Sequence, residues 1–252
     1  HYHLSKVVHS SRELNIYNMV DVLTLCNDYT GATELCTLFL TPAARARHNG
    51  HLLSRSRFLF MAEHPQRFAD IAIAELRGVS DEQGRSPFWT WLQKHFFSMD
   101  LADAIHRVGM GQKAFIAELM PHYPVYVSLL DPAAQAVIGE VHPQTRPARR
   151  LLEKEGFIFG GYVDPFDAGP SVECRSADIR SVRRSQRYAL VASNGLGDRA
   201  VPMLIANTGV ADFCATVAQA RINADTDTLC VDAEVLKALN LENGAPVRAV
   251  AL

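Results

Sequence analysis

The sequence predicts an α/β (α+β) fold: a mixed sheet with flanking helices, followed by a small β-rich C-terminal module. Three observations predict it. Short apolar runs of strand length alternate with longer helix-favouring stretches between about Glu34 and Cys174. Several of those stretches open on a capping residue or Pro and one closes on Gly, so they read as discrete helices. Beyond the Gly- and Asn-containing segment Ser193–Asp198 the pattern changes to short strands with a single helix. A chain of 252 residues, 48% hydrophobic, is long enough to bury a sizeable core. The expected division is a larger domain over 1–190 and a small β-rich module over 199–252.

The elements follow in order. Glu34–Leu40 is short and mostly apolar and reads as a buried strand, stopped by Thr41 and Pro42. A polar loop, Ala43–Asn49, leads into a helix from Gly50 to about Glu63, with Leu52, Leu53, Leu59 and Phe60 near one face. Asp70–Leu76 alternates and then runs apolar, a second strand. Ser86 caps a helix through about Phe97, with Pro87 at its first position. Gln112–Leu119 is a third strand candidate, and Asp131 caps a short helix over 132–138. The best-defined helix has Thr145 or Arg146 at its cap, Pro147 in its first turn and a left-handed stop at Gly156. Strands follow at Ile158–Val163 and Ser171–Cys174, then a basic stretch over 179–187 that reads as a solvated helix face or linker. The C-terminal part holds a helix over 232–239 and a last strand over 247–252.

Composition excludes several classes. Lys+Arg 25 against Asp+Glu 27 gives a net charge of −2, whereas nucleic-acid and anionic-membrane partners call for clustered excess cations. No apolar run approaches the ~20 residues that span a bilayer, and the opening 1–9 stretch has no signal-peptide pattern. Five widely spaced cysteines without a CxxC pair argue against a disulfide framework or a zinc site and for free thiols in a reducing cytoplasm.

Two places carry chemistry. The loop Arg45-Ala46-Arg47-His48-Asn49-Gly50 runs straight into a helix, where free backbone N–H groups and the helix dipole favour a phosphate or pyrophosphate, and its arginines add charge-assisted donors. His142 sits in the loop Glu140–Thr145 just before the best-capped helix, and a histidine so placed is suited to proton transfer. Gly109-Met-Gly-Gln-Lys113 lacks P-loop spacing and reads as a turn.

A family resemblance rests on longer strings: His9-Ser-Ser-Arg-Glu-Leu-Asn15, Glu34-Leu-Cys-Thr-Leu-Phe-Leu40, Asn49-Gly-His-Leu-Leu-Ser-Arg-Ser-Arg-Phe58, Ser86-Pro-Phe-Trp89, Phe96-Phe-Ser-Met-Asp100, Gly111-Gln-Lys-Ala-Phe-Ile-Ala-Glu-Leu-Met-Pro121, Val141-His-Pro-Gln-Thr145 and Leu152-Glu-Lys-Glu-Gly-Phe157. In order along the chain to about Arg187, these resemble the arginine N-succinyltransferases. The resemblance implies a GCN5-related N-acyltransferase fold, with the acyltransferase domain over 1–190, and the first step of arginine catabolism by the succinyltransferase pathway. It implies succinyl-CoA as acyl-donor co-substrate, no tightly bound cofactor and no metal, L-arginine as acceptor, and a cytoplasmic homo- or hetero-oligomer. It also implies that relatives carry further strands and helices before the position matching His1. The alternative is a catalytically impaired CoA-binding subunit of a heteromeric arginine/ornithine succinyltransferase.

Site residues come over position by position. His142 matches the family's proton donor, and Leu38 a position associated with succinyl-CoA. Arg45, Asn49 and Gly50 match the pyrophosphate loop, where His48 replaces an expected glycine. Glu34, Glu75, Asp100 and Glu118 are candidates for the arginine guanidinium, and Arg57 and Lys113 for the succinyl carboxylate.

Overall fold

The computed structural model describes residues 1–46, 49–112, 114–193 and 195–252. Arg47, His48 and Lys113, singled out above, lie outside the described residues. Contacts divide the chain into two compact units. One comprises His1–Leu35, Ile73–Arg150 and Phe157–Glu173, the other Cys36–Ala72, Leu151–Gly156 and Cys174–Leu252.

A seven-stranded sheet is made from β1 (Tyr2–Ser11), β2 (Ile16–Leu25), β3 (Thr33–Glu34), β4 (Ile71–Glu75), β5 (Val125–Tyr126), β6 (Ile158–Val163) and β7 (Pro170–Arg175), in the order β3-β4-β7-β6-β1-β2-β5. Five further strands, β8 (Gln186–Ala192), β9 (Val201–Asn207), β10 (Ala215–Asn223), β11 (Thr228–Val231) and β12 (Pro246–Ala251), close a barrel in the order β10-β11-β8-β12-β9. The helices are α1 (Asn49–Glu63), α2 (Pro87–His95), α3 (Leu101–Gly109), α4 (Ala114–Leu119), α5 (Pro132–Gln135), α6 (Arg146–Glu155), α7 (Arg180–Arg184) and α8 (Ala233–Leu239). None of the described helices is long and apolar enough to cross a membrane.

The expected α/β sheet and small C-terminal β-module are both present, and β4, β6, β7, α1, α2, α6 and α8 stand where the pattern placed them. Ser86 does cap α2, its hydroxyl accepting the Trp89 N–H. That helix buries Phe88, Trp89 and Leu92 in a core with Tyr2, Leu23 and Met120. The barrel has its own core of Leu190, Met203, Ile205, Leu229 and Val247. A second apolar cluster joins Leu59 of α1 to Leu204, Ala206 and Val250 of the barrel. Ser193 and residues 195–198 lie in the connection between β8 and β9, so the expected 190/199 division falls beside a barrel loop whose preceding strand already belongs to the barrel.

Four local expectations are corrected. Where a strand was expected over 112–119, Ala114–Leu119 forms helix α4: Ala, Glu and Leu are good helix formers, and the Met120 N–H bonds back to Ile116 C=O four residues earlier. The expected strand over 34–40 stops almost at once. Leu35 N–H still bonds to Ile73 C=O at 2.8 Å, but Thr37 takes φ 54, a conformation that breaks the extended chain and strains a β-branched residue. Asp131 does not cap α5 through its side chain and pairs instead with Lys94 at 3.7 Å. Before α6, a short turn at Pro143–Thr145 intervenes, and its side-chain cap is supplied by His142. The β1–β2 hairpin and α3 were not foreseen at all. Asn15 closes the hairpin at φ 51, and ten residues of each strand pair from Tyr2 with Leu25 to Ser11 with Ile16.

Candidate active site

His142 is held from three sides. Its backbone N–H donates to Arg77 C=O at 2.9 Å, and its C=O accepts the Thr145 N–H at 2.8 Å. Its ring Nδ1 accepts the Gln144 N–H at 3.2 Å. A ring nitrogen that accepts a backbone N–H carries no proton, so the neutral imidazole bears its hydrogen on Nε2. The half-buried ring is thus oriented, with Nε2 as the proton-bearing atom.

The strand end beneath it is tied in as well. Gly78 and Val141 form an isolated antiparallel bridge, and the Asp167 carboxylate accepts both the Gly78 N–H at 2.7 Å and the Gly169 N–H at 2.8 Å. Gly139 N–H donates to Ala168 C=O at 2.8 Å. These backbones approach so closely that a Cβ on Gly169 would collide with Leu76 C=O and Gly78 N. Asp164 accepts the Phe166 and Asp167 N–H groups. Burial, then the neighbouring Asp167 and Glu75, push Asp164 up to about 7. Burial also raises Asp167, against the Gly169 and Gly78 N–H groups and Arg77, which favour its charged form. Glu75, Arg77, Asp164 and Asp167 share a pocket of about 130 Å³ with Leu101 and Ile105. Sequence reading passed over these two aspartates. The turn-forming string Asp164-Pro-Phe-Asp-Ala-Gly169 was the available signal, since Asx side chains commonly bond backbone N–H groups nearby.

The structure places the donor-site candidates together in the other unit. Arg45 Nε–H donates to Leu40 C=O at 3.0 Å, and Asn49 Nδ2–H to Ala44 C=O at 2.9 Å, so side chains fold the loop onto itself before α1 begins. Gly50 lies in the first turn of α1, and among the described residues nothing beyond its own helix and chain neighbours stands within 4 Å of where its Cβ would be. The opening turn of a helix, with its N–H groups and dipole, is where an anion is favoured, and Gly50 adds no side chain there. Leu38 follows Thr37 in the irregular stretch after β3 and is 39% exposed, not a core leucine in a strand.

The four guanidinium candidates are not brought together. Glu75 bonds to His1 Nε2 at 2.7 Å, Asp100 accepts Gln93 Nε2–H at 3.1 Å, and Glu34 and Glu118 are exposed on β3 and α4.

Residues 1–181 match the family described as arginine N-succinyltransferase beta subunit, and residues 186–251 that family's C-terminal domain. Proteins named arginine N-succinyltransferase from Citrobacter koseri and Escherichia coli are each 48% identical over 251 residues, covering all of this chain and 72% of their own length. The solved structure of arginine/ornithine succinyltransferase subunit AI from Pseudomonas aeruginosa superposes with a TM-score of 0.86 at 36% identity, over 99% of this chain and 72% of that one. Fold and matches together define an acyltransferase with an appended barrel. The chain belongs to the arginine N-succinyltransferase beta-subunit family.

Proposed function

We propose that this chain transfers the succinyl group of succinyl-CoA to the α-amino group of L-arginine, giving N2-succinylarginine and CoA. The observation that carries the reading is the match of both parts of the chain, 1–181 and 186–251, to one enzyme family. The neutral α-amine attacks the thioester carbonyl, forming the C–N bond, and the oxyanion is stabilised by backbone N–H donors. Collapse breaks the C–S bond, and the proton lost by the amine nitrogen passes to the departing thiolate, which the His142 Nε2–H meets by hydrogen bonding while the ring stays neutral, a role supported by the Nδ1 bond to Gln144. The loop Arg45–Gly50, with Asn49, holds the CoA pyrophosphate, and the backbone around Leu38 meets the pantetheine arm. The naming of its family as a beta subunit and of the Pseudomonas aeruginosa relative as a subunit AI supports work within a homo- or hetero-oligomer. Five free cysteines fit a reducing cytoplasm.

Thiol release from succinyl-CoA, followed with a thiol reagent, tests the reaction. Release that requires arginine and yields a succinylated α-amine is the expected result. Saturable CoA binding with no arginine-dependent release would overturn it.

A further inference from the structure

Helix α1 carries two inward-turned arginines with opposite fates. Arg55, 6% exposed, is fully satisfied: its Nε–H meets Ser181 Oγ at 2.9 Å and Glu155 Oε1 at 3.0 Å, and Nη2 reaches Ala251 C=O at 3.1 Å. Arg57 is half-buried, yet among the described residues no carboxylate pairs with it. Its Nε–H is spent on Ser54 C=O at 3.2 Å within the helix, and one Nη2 contact to Ser54 Oγ is long, at 3.5 Å. The guanidinium lies 5.8 Å from the Phe58 ring centre, which lends a weak cation–π attraction. Its remaining donors, Nη1 in particular, have no protein acceptor among the described residues.

A cation taken partly out of water without a counter-charge is a cost that folded proteins rarely carry without use. Burial lowers the Arg57 pKa, and Cys36 is close enough that its ionised form would oppose that shift. The relation to Cys36 locates the charge. The chain runs from Cys36 past Leu38 to the loop at Arg45 and Asn49 and on into α1, where Arg57 stands eight residues in, about 12 Å along the axis from Asn49. An acyl-CoA whose pyrophosphate rests at Asn49 and Gly50 and whose arm follows the Leu38 stretch brings its acyl end toward Cys36, where Arg57 waits.

We propose that Arg57 receives the terminal carboxylate of the acyl donor, making it the residue that selects a succinyl over an acetyl thioester. The assignment rests on the donor identity proposed above. Nη1 and Nη2 are the atoms left to grip that carboxylate, and the ion pair supplies the missing counter-charge to the half-buried cation.

Calorimetric titration of succinyl-CoA and of free CoA into the wild type, Arg57→Met and Arg57→Lys, without arginine, tests this. Arg57→Met is expected to weaken succinyl-CoA binding by about 10- to 100-fold, the usual worth of a charge-assisted contact, and to leave CoA binding unchanged. Arg57→Lys keeps the charge without the fork and should fall between. Equal weakening toward both ligands, or none toward succinyl-CoA, overturns the assignment. Should Arg57→Met fail to fold, an Arg57→Lys variant that binds succinyl-CoA like the wild type overturns it equally. A wild type that prefers succinyl-CoA to CoA but releases no thiol on adding arginine would defeat the proposed reaction while leaving the role of Arg57 intact.

Discussion

Glu63 ends the helix that begins at the donor loop, and its carboxylate is only 3% exposed. Two barrel arginines meet it: Arg248 Nε–H at 2.8 Å, and Arg187 through Nε–H at 3.1 Å and a second, shorter contact from Nη2. Burial works against the charged carboxylate, but the two guanidiniums outweigh it and hold Glu63 below its usual range. The partners are not equivalent, since Arg248 is 15% exposed and Arg187 63%. Glu63→Gln leaves Arg248 buried without its anion, and breaking a buried pair from one side costs about 3–5 kcal/mol. Arg187→Gln removes a cation that water already solvates, worth about 0–1 kcal/mol. Urea unfolding at pH 7 should resolve the difference, and the melting temperature of Glu63→Gln should drop by about 10 °C. Because the folded carboxylate titrates lower than the unfolded one, this stabilisation is present above the unfolded value, near 4, and is lost as the pH falls through the folded one. A Glu63→Gln variant within 1 kcal/mol of wild type, or equal costs at Arg187 and Arg248, would refute the reasoning.

Three further outcomes are expected. His142→Ala should lower kcat by ~10²–10⁴, with the far-UV circular dichroism unchanged; near-wild-type turnover would remove it from the mechanism. Asp164 titrates higher folded than unfolded, so its contribution is fullest below about 4 and fades as the pH rises toward 7. Urea midpoints at pH 5 and pH 8 should therefore fall more for the wild type than for Asp164→Asn, and parallel pH profiles would contradict this. Gly169→Ala forces a methyl into the Leu76 carbonyl and the Gly78 amide, and should cost about 3 kcal/mol and disturb turnover through the His142 turn; an unchanged unfolding midpoint would show that the strand ends can part freely.

Much of the architecture was legible because it is written in local chemistry. Ser86-Pro87 opens α2, Gly156 ends α6 at φ 105, and the apolar run Ile71–Glu75 needs no partner to be read as a strand. The 112–119 segment misled because a short apolar run has no period of its own; packing of Phe115 and Ile116 against the core settles it as helix. The β1–β2 hairpin escaped notice because its polar alternation resembles loop until ten registered pairs are laid side by side.

The sequence by itself determined the family and nominated the candidate site positions: His142, the loop with Arg45, Asn49 and Gly50, and the stretch holding Leu38. Those follow from residue identity in order along the chain. The local turn at Pro143–Thr145 sets which proton His142 bears, because Gln144 N–H, two residues on, reaches Nδ1; only the tertiary structure brought the Arg77 C=O to the His142 N–H. It also brought Asp167, 89 residues along the chain from Gly78, onto the backbone beside that histidine, and it gave Arg55 a carboxylate partner while, among the described residues, giving Arg57 none. Pairings of this kind depend on which strands and helices become neighbours in space, and no local spacing encodes that.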